Sequence, residues 1–175
     1  MDYATVVDTV DIVAGDILNL DLQMSDVIMM SLPLADQGFE LVSFYLEPEE
    51  ADALTLFNGI DDLLLVYQDD ARMAIPPAVN TIGDVDLTEG YRVLVSGESN
   101  FDLMGSPLDP ATEYSLNADV VNLLGYPFDF SVPVETGFEP VADVVELVRN
   151  DDGFTWIPGD EENSDLVNLL PGEGY

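Results

Sequence analysis

Acidic side chains are the main candidates for chemistry in this sequence, because most residue types used in catalysis are missing. The chain has 36 Asp and Glu residues against 3 Lys and Arg, and it contains no His and no Cys. All three cationic residues are arginines. Without His, Cys or Lys, the sequence offers no His-assisted nucleophile, no thiolate and no Schiff-base amine. The common zinc sites, which are built from His and Cys, are excluded for the same reason.

Closely spaced carboxylates are the candidate ligands for a metal ion. Ca²⁺ is the candidate ion, because it binds several oxygen atoms at once. The candidate ligands are Asp69, Asp70, Asp84, Asp86, Asp151 and Asp152. Neither Asp-Asp pair follows the EF-hand spacing, and aspartate is common in tight turns, where it hydrogen-bonds to the backbone. The sequence therefore favours turns and solvated loops over cation binding at these positions.

Two carboxylates can also hydrolyse a glycosidic bond when they lie at the right separation. With 36 acidic residues, no pair can be singled out. Tyr126, Phe154 and Trp156 are candidates for stacking on a sugar ring, although alternation between core and surface is the simpler explanation. We therefore predict that the chain is not an enzyme, and a carboxylate-pair glycosidase is the third of three hypotheses.

The formal net charge of −33 limits the partners of the chain. Binding to nucleic acid requires a basic surface, which Arg72, Arg92 and Arg149 cannot provide. An anionic membrane surface is disfavoured in the same way, and no apolar run is long enough to predict a spanning helix. The charge favours high salt or divalent cations, which screen carboxylates. We expect stability to rise with salt or Ca²⁺.

Two parts of the sequence resemble each other at a constant offset. The matched pairs are Leu65-Val66 with Leu147-Val148, Asp69-Asp70 with Asp151-Asp152, Ile75-Pro76 with Ile157-Pro158, and Leu41–Phe44 with Leu123–Tyr126. Glu89-Gly90-Tyr91 matches Glu173-Gly174-Tyr175 after a longer loop in the second part. Self-similarity at a fixed period predicts a tandem repeat.

The apolar pattern predicts a β-rich α+β fold of two small sheet modules, each with a short helix, preceded by a β-strand segment. The predicted divisions are residues 1–34 for the N-terminal β segment, 35–113 for the first module with a linker hairpin, and 114–175 for the second module. We call these two modules the first and the second copy. With 47% hydrophobic residues, the chain can bury a core of its own.

Hydrophobic spacing and turn residues also predict individual elements. The predicted strands are Val27–Leu34, Phe39–Leu46, Leu63–Tyr67, Met73–Ile75, Tyr91–Ser96, Phe101–Met104 and Val120–Tyr126, with further strands between residues 3 and 22. One helix is expected to open at Glu47–Glu50, and a second is confined to Val134–Phe138 or a short segment after Pro140. A hairpin is predicted around Asn150–Gly153.

This succession of elements resembles a repeat found in large secreted and cell-surface proteins of Bacteroidota and some neighbouring phyla. The family pattern runs GWNLIS, a valine-rich strand with an acidic turn, Ile-Pro, NTIG and GxGY. The matching residues here are Gly38–Ser43, Leu63–Asp70, Ile75-Pro76, Asn80–Gly83 and Glu89–Tyr91. Phe39 and Val121 replace the usual Trp, Ala71 replaces the turn Gly, and NTIG is missing from the second copy. The resemblance implies an exported, non-enzymatic surface module, often near a type IX secretion sorting region.

The leading hypothesis is a non-catalytic structural or adhesive module of an exported cell-surface protein or extracellular filament. A Ca²⁺-dependent module that binds polysaccharide is the alternative. The expected location is extracellular, and the expected partners are neighbouring copies or other surface proteins, joined by β-strand addition. The second copy ends at Tyr175 without a counterpart of Arg92–Val95, so we expect it to lack its closing strand. Tyr3–Val13 of a neighbouring subunit is the candidate donor, and truncation of a longer protein is the competing explanation.

Overall fold

The computed structural model describes residues 27–35, 38–68 and 71–175. Its strands are β1 (Ile28–Leu34), β2 (Phe39–Val42), β3 (Leu46–Pro48), β4 (Leu63–Tyr67), β5 (Met73–Ile75), β6 (Val79–Asn80), β7 (Tyr91–Val95), β8 (Ser99–Pro107), β9 (Val132–Pro133), β10 (Val148–Arg149), β11 (Thr155–Trp156) and β12 (Asn168–Leu169). The helices are α1 (Ala53–Phe57) and α2 (Val134–Gly137), with 3₁₀ turns at Glu139–Val141 and Glu161–Asn163. The predicted β-rich α+β class is confirmed. The strands predicted between residues 3 and 22 lie outside the described residues.

Two antiparallel sheets enclose the larger core. One sheet has the strand order β2-β7-β4-β5-β6, and the other has the order β1-β8-β3. Strand β7 is flanked by β2 and β4, so its backbone is paired on both sides. Its residues alternate between the core and the outside, and Tyr91, Val93 and Val95 are buried. This alternation is what a strand with one face on a core requires.

Four aromatic rings form the centre of the larger core. Phe44 follows β2, Phe57 ends α1, and Tyr91 and Phe101 lie on β7 and β8. All four side chains are almost fully buried, and five ring pairs among them have centroids 5.4 to 5.9 Å apart. Aromatic pairs at this spacing contribute about 0.5–1.5 kcal/mol beyond their burial. The rings therefore join both sheets and α1 into one unit.

A second, smaller cluster of buried residues belongs to the second copy. It contains Tyr126, Val134, Val148, Trp156, Leu166, Leu169 and Tyr175. Two short antiparallel pairs, β10-β11 and β9-β12, frame this cluster. The pair β10-β11 encloses the turn Asn150–Gly153, where a hairpin was predicted, and α2 lies within the predicted Val134–Phe138.

The predicted start of the first helix is wrong. Pro48 belongs to β3, where it lies opposite Gly105 of β8. The helix α1 begins at Ala53, after Asp52, whose side chain accepts a hydrogen bond from the Thr55 N–H. Asp52 is thus the N-cap of α1. The preceding residues Leu46–Pro48 form a strand rather than a helix, because they pair with β8, which is distant in sequence.

Two other strand predictions also differ from the structure. The expected strand Phe39–Leu46 is divided into β2 and β3, because Ser43 donates its N–H to Gly172 rather than to a neighbouring strand of its sheet. The expected strand Val120–Tyr126 is reduced to an isolated bridge between Leu124 and Glu89. In both cases, contacts from a distant part of the chain replace a regular ladder.

The predicted strand Val27–Leu34 is confirmed as β1, but it does not form a separate segment. It pairs along its whole length with β8, and Met30 lies opposite Leu103. Met30 and Leu34 are buried in the same cluster as the aromatic rings. The predicted boundary at residue 34 therefore falls inside one packed unit.

Gly105 on β8 provides a test of the packing between β8 and β3. A Cβ atom at this position would collide with the carbonyl oxygen of Glu47 and lie 2.8 Å from its carbonyl carbon. Because both atoms belong to a paired backbone, Gly105→Ala is expected to lower the free energy of unfolding by about 1–3 kcal/mol. Gly59→Ala is the matched control, since nothing lies within 4 Å of its added Cβ. Urea unfolding of the two variants should give different midpoints, and equal midpoints would contradict this packing.

Candidate functional site

The candidate cation ligands do not form one cluster among the residues that the structure describes. Asp69 and Asp70 lie outside those residues, and Asp84, Asp86, Asp151 and Asp152 are exposed. The Asp86 carboxylate accepts hydrogen bonds from the N–H and the hydroxyl of Thr88, at 2.9 and 2.7 Å. Within residues 27–35, 38–68 and 71–175, no group of three His, Cys, Asp or Glu side chains is placed to hold a metal ion. A Ca²⁺ site at these aspartates stays a prediction.

The turn that carries Asp151 and Asp152 instead lies near an acidic residue of the first copy. Partial burial of Glu40 on β2 raises the pKa of its carboxyl group, and the charge of Asp151 raises it further. Asp152 acts in the same direction, while a hydrogen bond from the Ala35 backbone opposes the shift. Carboxylates from the two copies thus face each other. This repulsion is of the kind that salt screens.

The main contact between the two copies is built from backbone atoms. Four segments meet there, and we call this region the joint: Leu41–Phe44, Thr88–Tyr91, Leu123–Tyr126 and Gly172–Tyr175. Leu41–Phe44 opens the first copy and Thr88–Tyr91 closes it. Leu123–Tyr126 opens the second copy and Gly172–Tyr175 closes it. The sequence matching equates the two opening segments with each other, and also the two closing segments.

Hydrogen bonds at the joint are exchanged between the copies. Ser43 N–H donates to the Gly172 carbonyl (2.9 Å), and Gly174 N–H donates to the Leu41 carbonyl (3.0 Å). At the corresponding positions, Gly125 N–H donates to the Thr88 carbonyl (2.9 Å), and Gly90 N–H donates to the Leu123 carbonyl (3.0 Å). Each opening segment is therefore bound by the closing segment of the other copy, through the same pattern of bonds.

The closing tyrosines, Tyr91 and Tyr175, each pair with the opening segment of their own copy. Tyr91 lies opposite Val42 in the β2-β7 ladder. Leu124 and Tyr175 occupy the corresponding positions and exchange two backbone hydrogen bonds, of 2.6 and 2.9 Å. The two phenol groups are also held alike, because Tyr91 accepts from the Asp86 N–H (2.6 Å) and Tyr175 from the Leu170 N–H (2.7 Å).

Burial raises the pKa of the Tyr91 and Tyr175 phenols well above the usual value of a tyrosine. Neighbouring carboxylates add to this shift, chiefly Glu89 for Tyr91 and Glu173 for Tyr175, while the backbone hydrogen bonds oppose it. Both phenols are therefore protonated at neutral pH and can donate a hydrogen bond. Tyr91 donates to the Asp86 carbonyl (3.1 Å), and Tyr175 donates to the Glu173 carboxylate (2.9 Å).

Ser43 supplies the buried side-chain hydroxyl of the joint. The hydroxyl donates to the Glu173 carbonyl (2.6 Å) and accepts from the Tyr126 N–H (3.0 Å). Its counterpart in the second copy is Gly125, where a Cβ would lie 2.9 Å from the Leu87 carbonyl oxygen. A side chain thus bridges the copies on one side of the joint, and close backbone approach replaces it on the other.

Two concave surfaces lie on the second copy or beside the joint. A cavity of about 220 Å³ is lined by Asp86, Thr88, Glu89, Glu113, Ser115, Asn117, Asn122, Leu123 and Leu124. A second, of about 290 Å³, lies beside Trp156 and is bordered by Glu135, Glu139 and Glu161. Trp156 is only 6% exposed and packs against Phe138. Tyr126 is also buried, whereas Phe154 is exposed, so the three aromatic residues divide between core and surface.

Sequence matching found the segments of the joint but not the way in which they pair. The signal was the Glu-Gly-Tyr ending shared by Glu89–Tyr91 and Glu173–Tyr175. A glycine before an aromatic residue indicates close backbone approach, yet it does not identify the partner. Ser43 gave no separate signal, because a lone serine in a strand pattern is common.

Comparison with protein-family models, with curated proteins and with solved structures gives no match to this chain. No helix in the described part of the chain is long and apolar enough to cross a membrane. The resemblance to the Bacteroidota repeat therefore stays a prediction.

Replacing Ser43 by alanine tests the joint directly. Ser43→Ala leaves the Tyr126 N–H and the Glu173 carbonyl without their side-chain partner in a buried place. An unsatisfied buried group costs about 1–3 kcal/mol, so we expect the free energy of unfolding to fall by about 2 kcal/mol. Ser31→Ala is the control, because the Ser31 hydroxyl is bound to Asp102 at the surface and its loss should cost less than about 0.5 kcal/mol. If urea unfolding gave similar losses of free energy for the two variants, the joint would not stabilise the fold.

Alkaline pH should weaken the fold through the buried tyrosines. Tyrosines of the unfolded chain ionise near pH 10, whereas the raised pKa keeps Tyr91 and Tyr175 protonated in the folded chain. The contribution of these groups is fully present below about pH 10 and is lost as pH rises towards the folded pKa. Urea unfolding between pH 8 and 11.5 should show this fall, and Tyr175→Phe should make it shallower. Ser31→Ala, which removes no phenol group, is the control and should leave the slope unchanged.

Proposed function

We propose that the chain is a non-catalytic structural or adhesive module of an exported cell-surface protein or extracellular filament, built from two tandem copies of one repeat unit. The observation that carries the proposal is the joint, where each copy binds the opening segment of the other. A contact made of backbone hydrogen bonds fixes the relative position of two modules, which is the requirement of a structural part.

The pattern of bonds at the joint supports the repeat and its mechanical role. Separation of the copies would break the bonds that join Ser43 with Gly172, Gly174 with Leu41, Gly125 with Thr88 and Gly90 with Leu123. Buried backbone groups are costly to leave unpaired. We therefore expect these four hydrogen bonds to break together rather than one at a time. A cooperative joint of this kind suits a module that holds its shape between neighbours.

Composition supports a non-catalytic role outside the cell. The sequence has no His, Cys or Lys, so the usual nucleophiles and bases other than carboxylates are missing. A formal charge of −33 keeps a chain soluble and disfavours association with other acidic surfaces unless salt or divalent cations are present. The resemblance to secreted Bacteroidota repeats supports the same setting.

Exposure on intact cells of the source organism tests this proposal. Antibodies raised against the purified chain should label cells without permeabilisation, and brief protease treatment of intact cells should remove the label. An abundant periplasmic protein should resist the same treatment and serves as the control. Labelling that requires permeabilisation, or that persists after protease treatment, would contradict an exported surface role.

Salt and Ca²⁺ distinguish the structural role from Ca²⁺-dependent binding. Screening of carboxylates predicts that NaCl raises the midpoint of thermal unfolding. CaCl₂ at the same ionic strength should give the same midpoint if the ion acts only by screening. A midpoint several degrees higher in CaCl₂, reversed by chelator, would favour the Ca²⁺-dependent module.

A further inference from the structure

Each copy has a core of its own. The larger cluster of buried residues is drawn from residues 30–103, and the smaller one is drawn from residues 126–175. The joint connects the two copies through the backbone bonds of its four segments and through the Ser43 hydroxyl. Separation of the copies would therefore open the joint without dividing either core.

The segment that connects the copies has no regular structure. From Leu108 to Asn122 the chain forms no helix and no strand, and most of its side chains are exposed. At about 3.3 Å per residue, these 15 residues can span roughly 50 Å. The segment is therefore long enough to carry the second copy of one molecule onto the first copy of another.

Gly125 makes the joint unsuitable for two first copies. Its matched residue in the first copy is Ser43. At Gly125 a Cβ would lie 2.9 Å from the Leu87 carbonyl oxygen and 3.0 Å from the Glu89 carbonyl oxygen. Two first copies paired in the same way would place Ser43 at this point and force it against the main chain. Such a pair is therefore disfavoured.

Ser43 in turn makes the joint unsuitable for two second copies. Its hydroxyl donates to the Glu173 carbonyl and accepts from the Tyr126 N–H. In a pair of second copies, Gly125 would take the place of Ser43 and leave both groups without this partner, which is unfavourable for buried groups. Only a first copy paired with a second copy satisfies both sides of the joint.

We propose that the joint also forms between molecules by domain swapping, so that the first copy of one chain binds the second copy of another chain of this protein. Ser43 and Gly125 restrict this binding to unlike copies. Swapping from chain to chain builds a filament unless it closes into a ring. This inference rests on the proposed structural role, and it names the partner and the surface.

The swapped joint needs no surface beyond the one that each chain already has. It keeps every hydrogen bond that the joint makes within one chain, which is why domain swapping is a low-cost route to association. Repulsion between chains with a formal charge of −33 opposes it, and salt screens that repulsion. Swapping should therefore increase with protein concentration and with salt.

Glu89 and Leu124 are suited to a disulfide trap, because the chain has no Cys and these two residues lie opposite each other across the joint. The hydrogen bonds donated by Gly90 and Gly125 flank them, so they form a non-hydrogen-bonded pair with Cα atoms about 4.5 Å apart. That separation suits a disulfide. A dilute full-length chain with both Glu89→Cys and Leu124→Cys should therefore close within the monomer on oxidation. Failure to close would contradict the joint and, with it, the proposal.

Mixing two single variants tests swapping between molecules. One full-length chain carries Glu89→Cys, and the other carries Leu124→Cys. They are mixed in urea to open the joint, diluted into molar NaCl, oxidised, and analysed by intact mass. The mixed dimer should exceed each like dimer several-fold. Val79→Cys, at an exposed position on β6 of the first copy, replaces Leu124→Cys in the control, and equal yields for these two variants would overturn the proposal.

Glu173→Cys provides the matched test of selectivity, because Glu173 is the counterpart of Glu89 in the second copy and both side chains are half-buried. Together with Leu124→Cys on another molecule, it reports pairing of two second copies and should give several-fold less mixed dimer than Glu89→Cys. Ser43→Gly added to the Glu89→Cys chain should lower the yield towards that of Glu173→Cys. Equal yields for Glu89→Cys and Glu173→Cys, or a yield that Ser43→Gly does not change, would overturn the selectivity.

The proposed function and the swapped joint fail in different experiments. Labelling of intact cells does not depend on swapping. Labelled cells without mixed dimers would refute the swapped joint and leave the proposed function standing.

Discussion

The exchange of backbone hydrogen bonds at the joint constrains the rest of the structure. The chain leaves the β2-β7 ladder at Ser43, because the Ser43 N–H donates to the Gly172 carbonyl of the other copy, and Leu124 forms only an isolated bridge with Glu89. The exchange of bonds also explains the glycines, since a Cβ on Gly174 would lie 2.6 Å from Leu41 Cγ. The tyrosine that follows each closing glycine then anchors the segment in its own core. Local irregularity in both copies thus has one common cause.

The parts of the fold that were predictable from the sequence are those decided by neighbouring residues. Strands β4 and β5 have the bounds that the apolar alternation gives, and the turn chemistry of Asn150–Gly153 marks its hairpin. The start of α1 was not predictable in this way, because Pro48 pairs with Gly105 far along the chain. The reciprocal pairing at the joint was not predictable either, because it also joins residues far apart in the chain. Matching Glu89–Tyr91 with Glu173–Tyr175 shows likeness but not contact.

The acidic residues act mainly through their distribution over the surface. Asp52 and Asp86 cap local backbone groups, which is the common task of aspartate at helix starts and turns. Glu40 and the Asp151-Asp152 turn instead bring like charges together where the copies meet. The fold therefore combines an apolar, ring-rich interior with a contact region whose repulsion depends on the surrounding ions.

Reciprocity at the joint leaves no segment of this kind over. Each copy offers one opening and one closing segment, and both are already occupied by the other copy. A third module of the same design would therefore find no vacant partner at the joint.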